Sequence, residues 1–347
     1  MQWKVSSGAN PPYIDLMPSL EQKFNKENFE MAMKMLYDRQ QITLNRFFNK
    51  SEYPWSENDI LNNNKFLNVY RILDRNSQFE VSYITKDTSL KQKEYLWKTI
   101  FFRLFNQPEL FSYLARFYKE MIPSTKEYNA DDFHQHLLNY RKIGGNPFTN
   151  AYLSNSVACP GKTRDWCFAY NAIPKAIELL DEISKAYSTN ISGKDFCKIL
   201  TKIPCVADFL AHEMFVSLCF RNEVVKKKFR FNDWTPNDYA NVGPGCSFGL
   251  SLIFPNKKTR KEQDKALLML KTLGDLHFKK HYPDFEYIHF NIKSGKFEKS
   301  NKPNFTLLVY ENSMCEFGKY WKMHHKVGKQ RSAYKPRESK KEKFFLY

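Results

Sequence analysis

Residues 92–106 read Gln92-Lys93-Glu94-Tyr95-Leu96-Trp97-Lys98-Thr99-Ile100-Phe101-Phe102-Arg103-Leu104-Phe105-Asn106. Leu96, Ile100 and Leu104 recur every fourth residue, and Trp97, Phe101 and Phe105 run beside them. A helix turns about 100° per residue, so the two rows merge into one wide apolar face. Working outward, Pro108 fits the first turn of a next helix that presents Phe111, Leu114 and Phe117. Upstream, residues 22–49 carry Phe24, Phe29, Met33, Leu36, Leu44 and Phe48 at mostly helical gaps. Downstream, Asn129 can cap a helix that buries Phe133, Leu137 and Leu138 and stops at Gly144-Gly145. Pro174 opens another, with Ile177, Leu180 and Ile183 inside. Ser192 with Asp195 resembles a capping box ahead of Phe196, Ile199 and Leu200. Further helices are expected through Val206, Phe209, Leu210, Met214 and Leu218, and over 262–280 with Leu267, Leu270 and Leu273. Strand-like alternation is weak: Phe79–Tyr83 and Phe305–Tyr310 could be short strands or buried extended pieces. The expected fold class is all-α.

Composition sets outer bounds. Of 347 residues, 42% are apolar and 16% aromatic, which excludes a disordered chain because such rings need a core. No stretch approaches the roughly 20 uncharged apolar residues of a membrane span, so no membrane partner is expected. Lys and Arg outnumber Asp and Glu by 54 to 37, a net charge of +17 that calls for a polyanion, nucleic acid first. The seven Cys residues are odd in number and lack a CxxC pair. They predict a reducing, intracellular setting, the nucleus in a eukaryote or the host cytoplasm for a virus, and no zinc or iron–sulfur site. No cofactor is implied. The domain reading is an N-terminal arm at 1–21, a single helical domain over 22–336 and a basic tail at 337–347, whose Phe344-Phe345-Leu346-Tyr347 end could dock.

Candidate sites follow from residue chemistry. Gly161-Lys162-Thr163 ends like a phosphate-binding loop, but Ser156 stands where that loop needs Gly, so no P-loop kinase domain is read here. Leu200–Ala207 lies between two expected helices and resembles the hairpin of helix-hairpin-helix DNA-binding proteins, with Cys205 and Ala207 replacing its glycines. Gly243-Pro244-Gly245 precedes the helical run Ser247–Ile253 and could aim amides at an anion; an ordinary capping turn is the plainer reading. Arg71 and Arg75 stand four apart, with Asp74 between them, as a phosphate clamp on one helix face would require. Lys226-Lys227-Lys228-Phe229-Arg230-Phe231 interleaves charge with rings, as backbone tracking with base stacking needs; a basic surface loop is the alternative. His277 and His281 share a helix face without a third metal ligand nearby.

Several segments fall in order across about residues 30–336. They are Pro54-Trp55-Ser56, Lys65–Arg75, Leu104–Glu109, Gly144–Tyr152, Phe209–Glu213, Asn241–Gly245 with Gly249-Leu250, Cys315–Tyr320, and Arg331 with Tyr334-Lys335-Pro336. Together they resemble the helical domain of the 5-hydroxymethyl-deoxyuridine DNA kinases, shared with the α-glutamyl/putrescinyl-thymine pyrophosphorylase proteins. The resemblance implies a helix-hairpin-helix DNA-glycosylase-like helical domain with an irregular C-terminal extension. It also implies work on a modified thymine-type base flipped from double-stranded DNA, in which an amine from a donor displaces pyrophosphate. On that reading Arg71, Arg75 and Lys319 meet phosphate groups, and Gly243 and Gly245 shape an anion-facing turn. Asp238, Glu213 and Asp74 are the candidate bases. Lys226, Lys227, Lys228 and Arg230 face DNA. The family pattern expects Asp where Ser217 stands, which leaves open a second class: a non-catalytic basic module that binds nucleic acid or a protein assembly.

Overall fold

A computed structural model describes residues 24–149, 159–257, 259–328 and 345–346. The arm at 1–21, the Asn150–Tyr152 part of one signature segment, Ser156, and the Arg331–Pro336 motif lie outside these residues.

Helices dominate. α1 (Lys26–Thr43) continues into a π-helical turn at Leu44–Phe48, and α2 spans Asp59–Asn63. After a 3-10 turn at Arg71–Leu73 come α3 (Arg75–Glu80), a π-helical turn at Val81–Thr85, α4 (Gln92–Phe105), α5 (Pro108–Leu114) and α6 (Ala130–Lys142). The run 164–188 comprises α7 (Arg164–Cys167), a π-helical turn (Phe168–Ala172), α8 (Ile173–Glu178) and α9 (Leu180–Ser188). Then follow α10 (Gly193–Leu200), α11 (Asp208–Val224), α12 (Pro244–Ile253), α13 (Arg260–His281) and α14 (Leu307–His324). The fold is all-α with an irregular C-terminal extension.

Local signals explain most boundaries. The Asn129 side chain accepts from the amides of Asp131 and Asp132, and α6 ends where Gly144 takes φ +83°. Ser192 caps α10 through the Asp195 amide, but Asp195 answers the Ser192 hydroxyl rather than its backbone. Thr259 and Glu262 form a complete capping box on α13. Pro174 does not open a fresh helix; it follows the π-helical turn inside a nearly continuous helical run, where the widened ladder tolerates its missing N–H.

The strand expectations are overturned. Phe79 ends α3 with Val81–Tyr83 in the π-helical turn, and Leu307–Tyr310 is the first turn of α14. In the first stretch the alternating apolar side chains serve two opposed cores: Phe79 enters one, Val81 the other. The strands are instead β1 (Tyr287–Asn291) and β2 (Lys296–Ser300), an antiparallel hairpin with Ile288 opposite Lys299 and Phe290 opposite Phe297. The hairpin is rich in Lys, His and Asn, which hides its alternation. Beyond the undescribed tail, Leu346 docks against it. Its amide donates to Gln78 Oε1 at 2.9 Å, and its carbonyl accepts from Phe297 N at 2.6 Å.

Two apolar cores meet at α11. Ala211, Met214, Phe215, Leu218 and Cys219 enter the first, built from α4–α10; Val216, Phe220 and Val224 enter the second, built from α1, α12–α14 and the hairpin. Rings fill the first core: Phe105 packs on Phe133 at 5.6 Å and on Phe148 at 5.3 Å between centroids. Such pairs add about 0.5–1.5 kcal/mol each beyond area burial. A helix apolar on both sides must be central. Its third stripe is polar: Glu213, Ser217 and Arg221, each four residues apart, run along the seam and are buried. That seam carries the candidate site.

Candidate functional site

The seam begins with α4 facing α11. Arg103 interrupts the apolar stripe of α4 and is buried, where an unpaired cation is prohibitively costly. Its Nη2 pairs with Glu80 Oε2 at 2.6 Å, its Nη1 reaches Glu213 Oε2 at 4.0 Å, and its Nε donates to Ser217 Oγ. Ser217 in turn donates to Glu80 Oε2 at 3.0 Å. Where the family resemblance expects an Asp, the serine relays to a carboxylate supplied by α3.

Arg71 closes the other end. It grips Glu213 with two bonds, Nη1–Oε1 at 2.8 Å and Nη2–Oε2 at 2.5 Å, and its Nε lies 3.6 Å from Asp74 Oδ2. Burial pushes the Glu213 carboxyl up, but Arg71 and Arg103 outweigh it and hold the group below its usual range. Asp74 is different: burial raises it to about 6 against the pull of Arg71 and the Asn68 amide, which donates to Asp74 Oδ1 at 3.0 Å. His212, beside Glu213, is lowered to about 4 by burial, and its Nε2 accepts from Asn241 N at 3.2 Å, so it is neutral at pH 7.

α14 adds acids to this cluster. Burial lifts Glu311 to about 7 despite Arg71, and the Glu213 charge adds to the rise. Its Oε1 accepts from Cys315 Sγ at 3.5 Å. Glu316 Oε2 accepts from Leu67 N at 3.2 Å and pairs with Lys319 Nζ at 2.6 Å. α12 packs tightly on α14 because two glycines permit it. A Cβ on Gly249 would collide with the Met314 carbonyl, and one on Gly318 would lie 2.8 Å from the Phe248 ring. This approach sets Gly245 beside Cys315, where a Cβ would lie 3.3 Å from the sulfur, while Gly243 faces open space. The N-terminus of α12 therefore opens next to Glu311 and Cys315.

The structure thus gathers Arg71, Asp74, Glu213 and the Gly243–Gly245 turn, with Lys319 joined through Glu316. It separates the others. Arg75 does not share a helix face with Arg71, because Asp74 is extended between the 3-10 turn and α3. Arg75 pairs with Glu109 at 2.9 Å and lines a separate groove of about 310 Å³ with Ser112, Tyr113, Arg116 and Tyr140. Asp238 is exposed and accepts from the Thr235 amide and hydroxyl at 2.6 and 2.7 Å, tying a loop. Lys226, Lys227 and Lys228 are exposed, but the interleaved rings are half-buried: Phe229 packs against the second core, and Phe231 packs on Tyr95 at 5.8 Å and on the buried Arg221. Neither ring stands clear of the fold as a free stacking platform would. Thr163 of the GKT stretch caps α7, and Lys162 lies over the Trp166 ring.

Sequence reasoning passed over Glu80, Arg103 and Glu311. Arg103 had a signal, a cation inside the run Phe-Phe-Arg-Leu-Phe; Glu311 had none, since the Arg71 and Glu213 charges around it come from distant parts of the chain.

A family model described as 5-hmdU DNA kinase, helical domain, matches residues 26–330. The chain belongs to this family. The helical-domain match includes every residue of the cluster, from Arg71 to Lys319. A protein of Bacillus phage SP10 named 5-hmdU DNA kinase is 30% identical over 238 residues, covering 65% of this chain and 36% of that protein. The match thus spans about a third of the relative's length. No solved structure matches the chain. None of the described helices is long and apolar enough to cross a membrane.

Proposed function

We propose that this chain acts on a hydroxymethyluracil-type base in DNA as a group transferase, and that its reaction centre is the Arg71–Glu311 cluster. The carrying observation is the pair of carboxyls near neutrality, Asp74 at about 6 and Glu311 at about 7, around Arg71 and beside the α12 N-terminus. A carboxyl in that range can exchange protons at working pH, and a guanidinium with helix amides suits a leaving phosphate. In the step itself, an amine nitrogen attacks the base's exocyclic methylene carbon. The C–O bond to pyrophosphate breaks, and pyrophosphate leaves with the electron pair. The amine proton passes to Glu311, with Asp74 as the second acceptor. Glu213, locked between two arginines, orients Arg71 rather than taking the proton. The name of the SP10 relative supports the substrate class. The net charge of +17 and the exposed Lys226–Lys228 run support DNA as the carrier. The helix-hairpin-helix reading gains support from the α10–α11 turn, where Cys205 takes φ +67° at a position that the motif gives to glycine.

A second reading rests on the Arg71–Glu213 pair: a cation already neutralised inside the fold serves architecture, and the chain presents or binds the base without turning it over. One experiment separates the two. DNA carrying pyrophosphomethyl-uracil is incubated with the protein and a panel of amines, digested, and its nucleosides are weighed by mass spectrometry. A new nucleoside that vanishes with Glu311→Gln supports transfer. Salt-dependent DNA binding without a new nucleoside leaves the binding module, and no DNA binding removes both.

A further inference from the structure

Three cysteines outside the cluster converge. Cys159 lies in the turn before α7, Cys167 ends α7, and Cys205 sits in the turn between α10 and α11. Their sulfur atoms all lie within 4.8 Å of one another. Cys159 and Cys167 are joined as a disulfide, with Cα atoms 5.9 Å apart, where the odd cysteine count points to a reducing setting. Cys205 stands beside that pair as a third, half-buried sulfur. Tetrahedral zinc with bonds of about 2.3 Å holds its thiolates roughly 3.8 Å apart, so three sulfurs this close come within reach of one ion once the disulfide is opened.

A second observation points the same way. Arg164, next to the trio, buries Nε and Nη2 without a hydrogen-bond partner among the described residues. Its guanidinium lies over the Phe148 ring at 3.7 Å and interacts electrostatically with Cys205. The half-buried guanidinium, which also interacts with the neighbouring Asp165, favours negative charge on the sulfur it faces. Asn171 Nδ2 also donates to Cys159 Sγ at 3.2 Å, the kind of second contact that orients a ligand sulfur. Three thiolates around a divalent ion carry one net negative charge, which Arg164 offsets.

We propose that Cys159, Cys167 and Cys205 form a binding site for a thiolate-preferring divalent metal of the zinc class, its fourth position taken by water. The Cys159–Cys167 disulfide and the metal are alternatives. Opening the disulfide takes two electrons and two protons from an external dithiol, which leaves as its own disulfide. The metal then displaces three thiol protons as it binds. Bound metal ties the approach to α7 to the turn that leads into α11, the helix of Glu213. Spacing in the sequence conceals the site because Cys205 arrives from a different helical pair.

The test uses the full chain, reduced with a phosphine, stripped of metal and titrated with Co2+. Bands of tetrahedral thiolate-bound cobalt, saturating at about one ion per chain and bleached by Zn2+, are expected. Cys205→Ser should weaken binding at least about tenfold and shift those bands. Cys197→Ser, a buried thiol outside the trio, should change neither. If Cys205→Ser does not fold, zinc in wild-type protein purified under reductant decides, with roughly one ion per chain expected. Absent thiolate–cobalt bands, bands indifferent to Cys205→Ser in folded protein, or zinc far below that stoichiometry overturns the proposal.

Discussion

Replacing Glu311 by Gln removes a buried ionisable group while keeping the oxygen that accepts from Cys315. In the folded chain the carboxyl titrates at about 7, against 4.5 as its ordinary value, because burial disfavours its charge more than Arg71 favours it. Glu213 and Glu316 push it further in the same direction, and the Cys315 thiol hydrogen bond opposes them. A folded-state value above the unfolded one contributes stability that is fully present below about pH 4.5 and is lost as pH rises through about 7. At about 1.4 kcal/mol per pH unit the loss comes to about 3 kcal/mol, most of it between pH 5 and pH 8. Glu311→Gln has no such loss. Its stability relative to wild type should therefore improve by roughly 2–3 kcal/mol from pH 5 to pH 8, whatever its constant packing cost. Denaturant unfolding of both proteins across that range measures the difference, which also cancels the separate titration of Asp74. A difference that is flat with pH, or that falls, would refute a carboxyl at position 311 raised toward neutral pH, and with it the proton acceptor assigned to the reaction.

Glu213→Ala leaves the buried Arg103 and the half-buried Arg71 around a vacated carboxylate, each keeping one other acid, Glu80 or Asp74, and a loss of about 3 kcal/mol in urea unfolding is expected. Gly249→Val forces a side chain into the Met314 carbonyl. α12 and α14 must part, costing roughly 1–3 kcal/mol or more in thermal unfolding, and DNA affinity should fall as the Gly243–Gly245 turn shifts. Changing Lys226, Lys227 and Lys228 together to Ala should lower the slope of log affinity against log salt by up to about 3, read by fluorescence anisotropy on duplex DNA. An unchanged slope would place these lysines away from the phosphates.

Helices were legible wherever the signal was local. The α4 stripe, the Asn129 cap and the Gly144 stop each depend on residues within a few positions, and they stand where their chemistry puts them. Failures came where one segment serves two partners. Phe79 and Val81 enter different cores from a single helical stretch, which mimics a strand. Phe231 lies among cations as a nucleic-acid platform would, yet it turns inward because Arg221 and Tyr95 offer it a buried partner. Arg71 and Arg75 look like one clamp until Asp74 extends the chain between them. The family was legible too, because ordered motifs survive as consecutive residues.

A basic, aromatic-rich helical chain of the 5-hmdU DNA kinase helical-domain family can be read from residue order alone, since periodicity, capping and motif order are all properties of near neighbours. Long-range packing is what binds Glu213 to two arginines, ties a loop through Asp238 and raises the Glu311 carboxyl toward neutral pH. Those outcomes depend on burial and on charges brought together from distant helices. Arg71 and Glu213 are 142 residues apart, and no local pattern records that they meet.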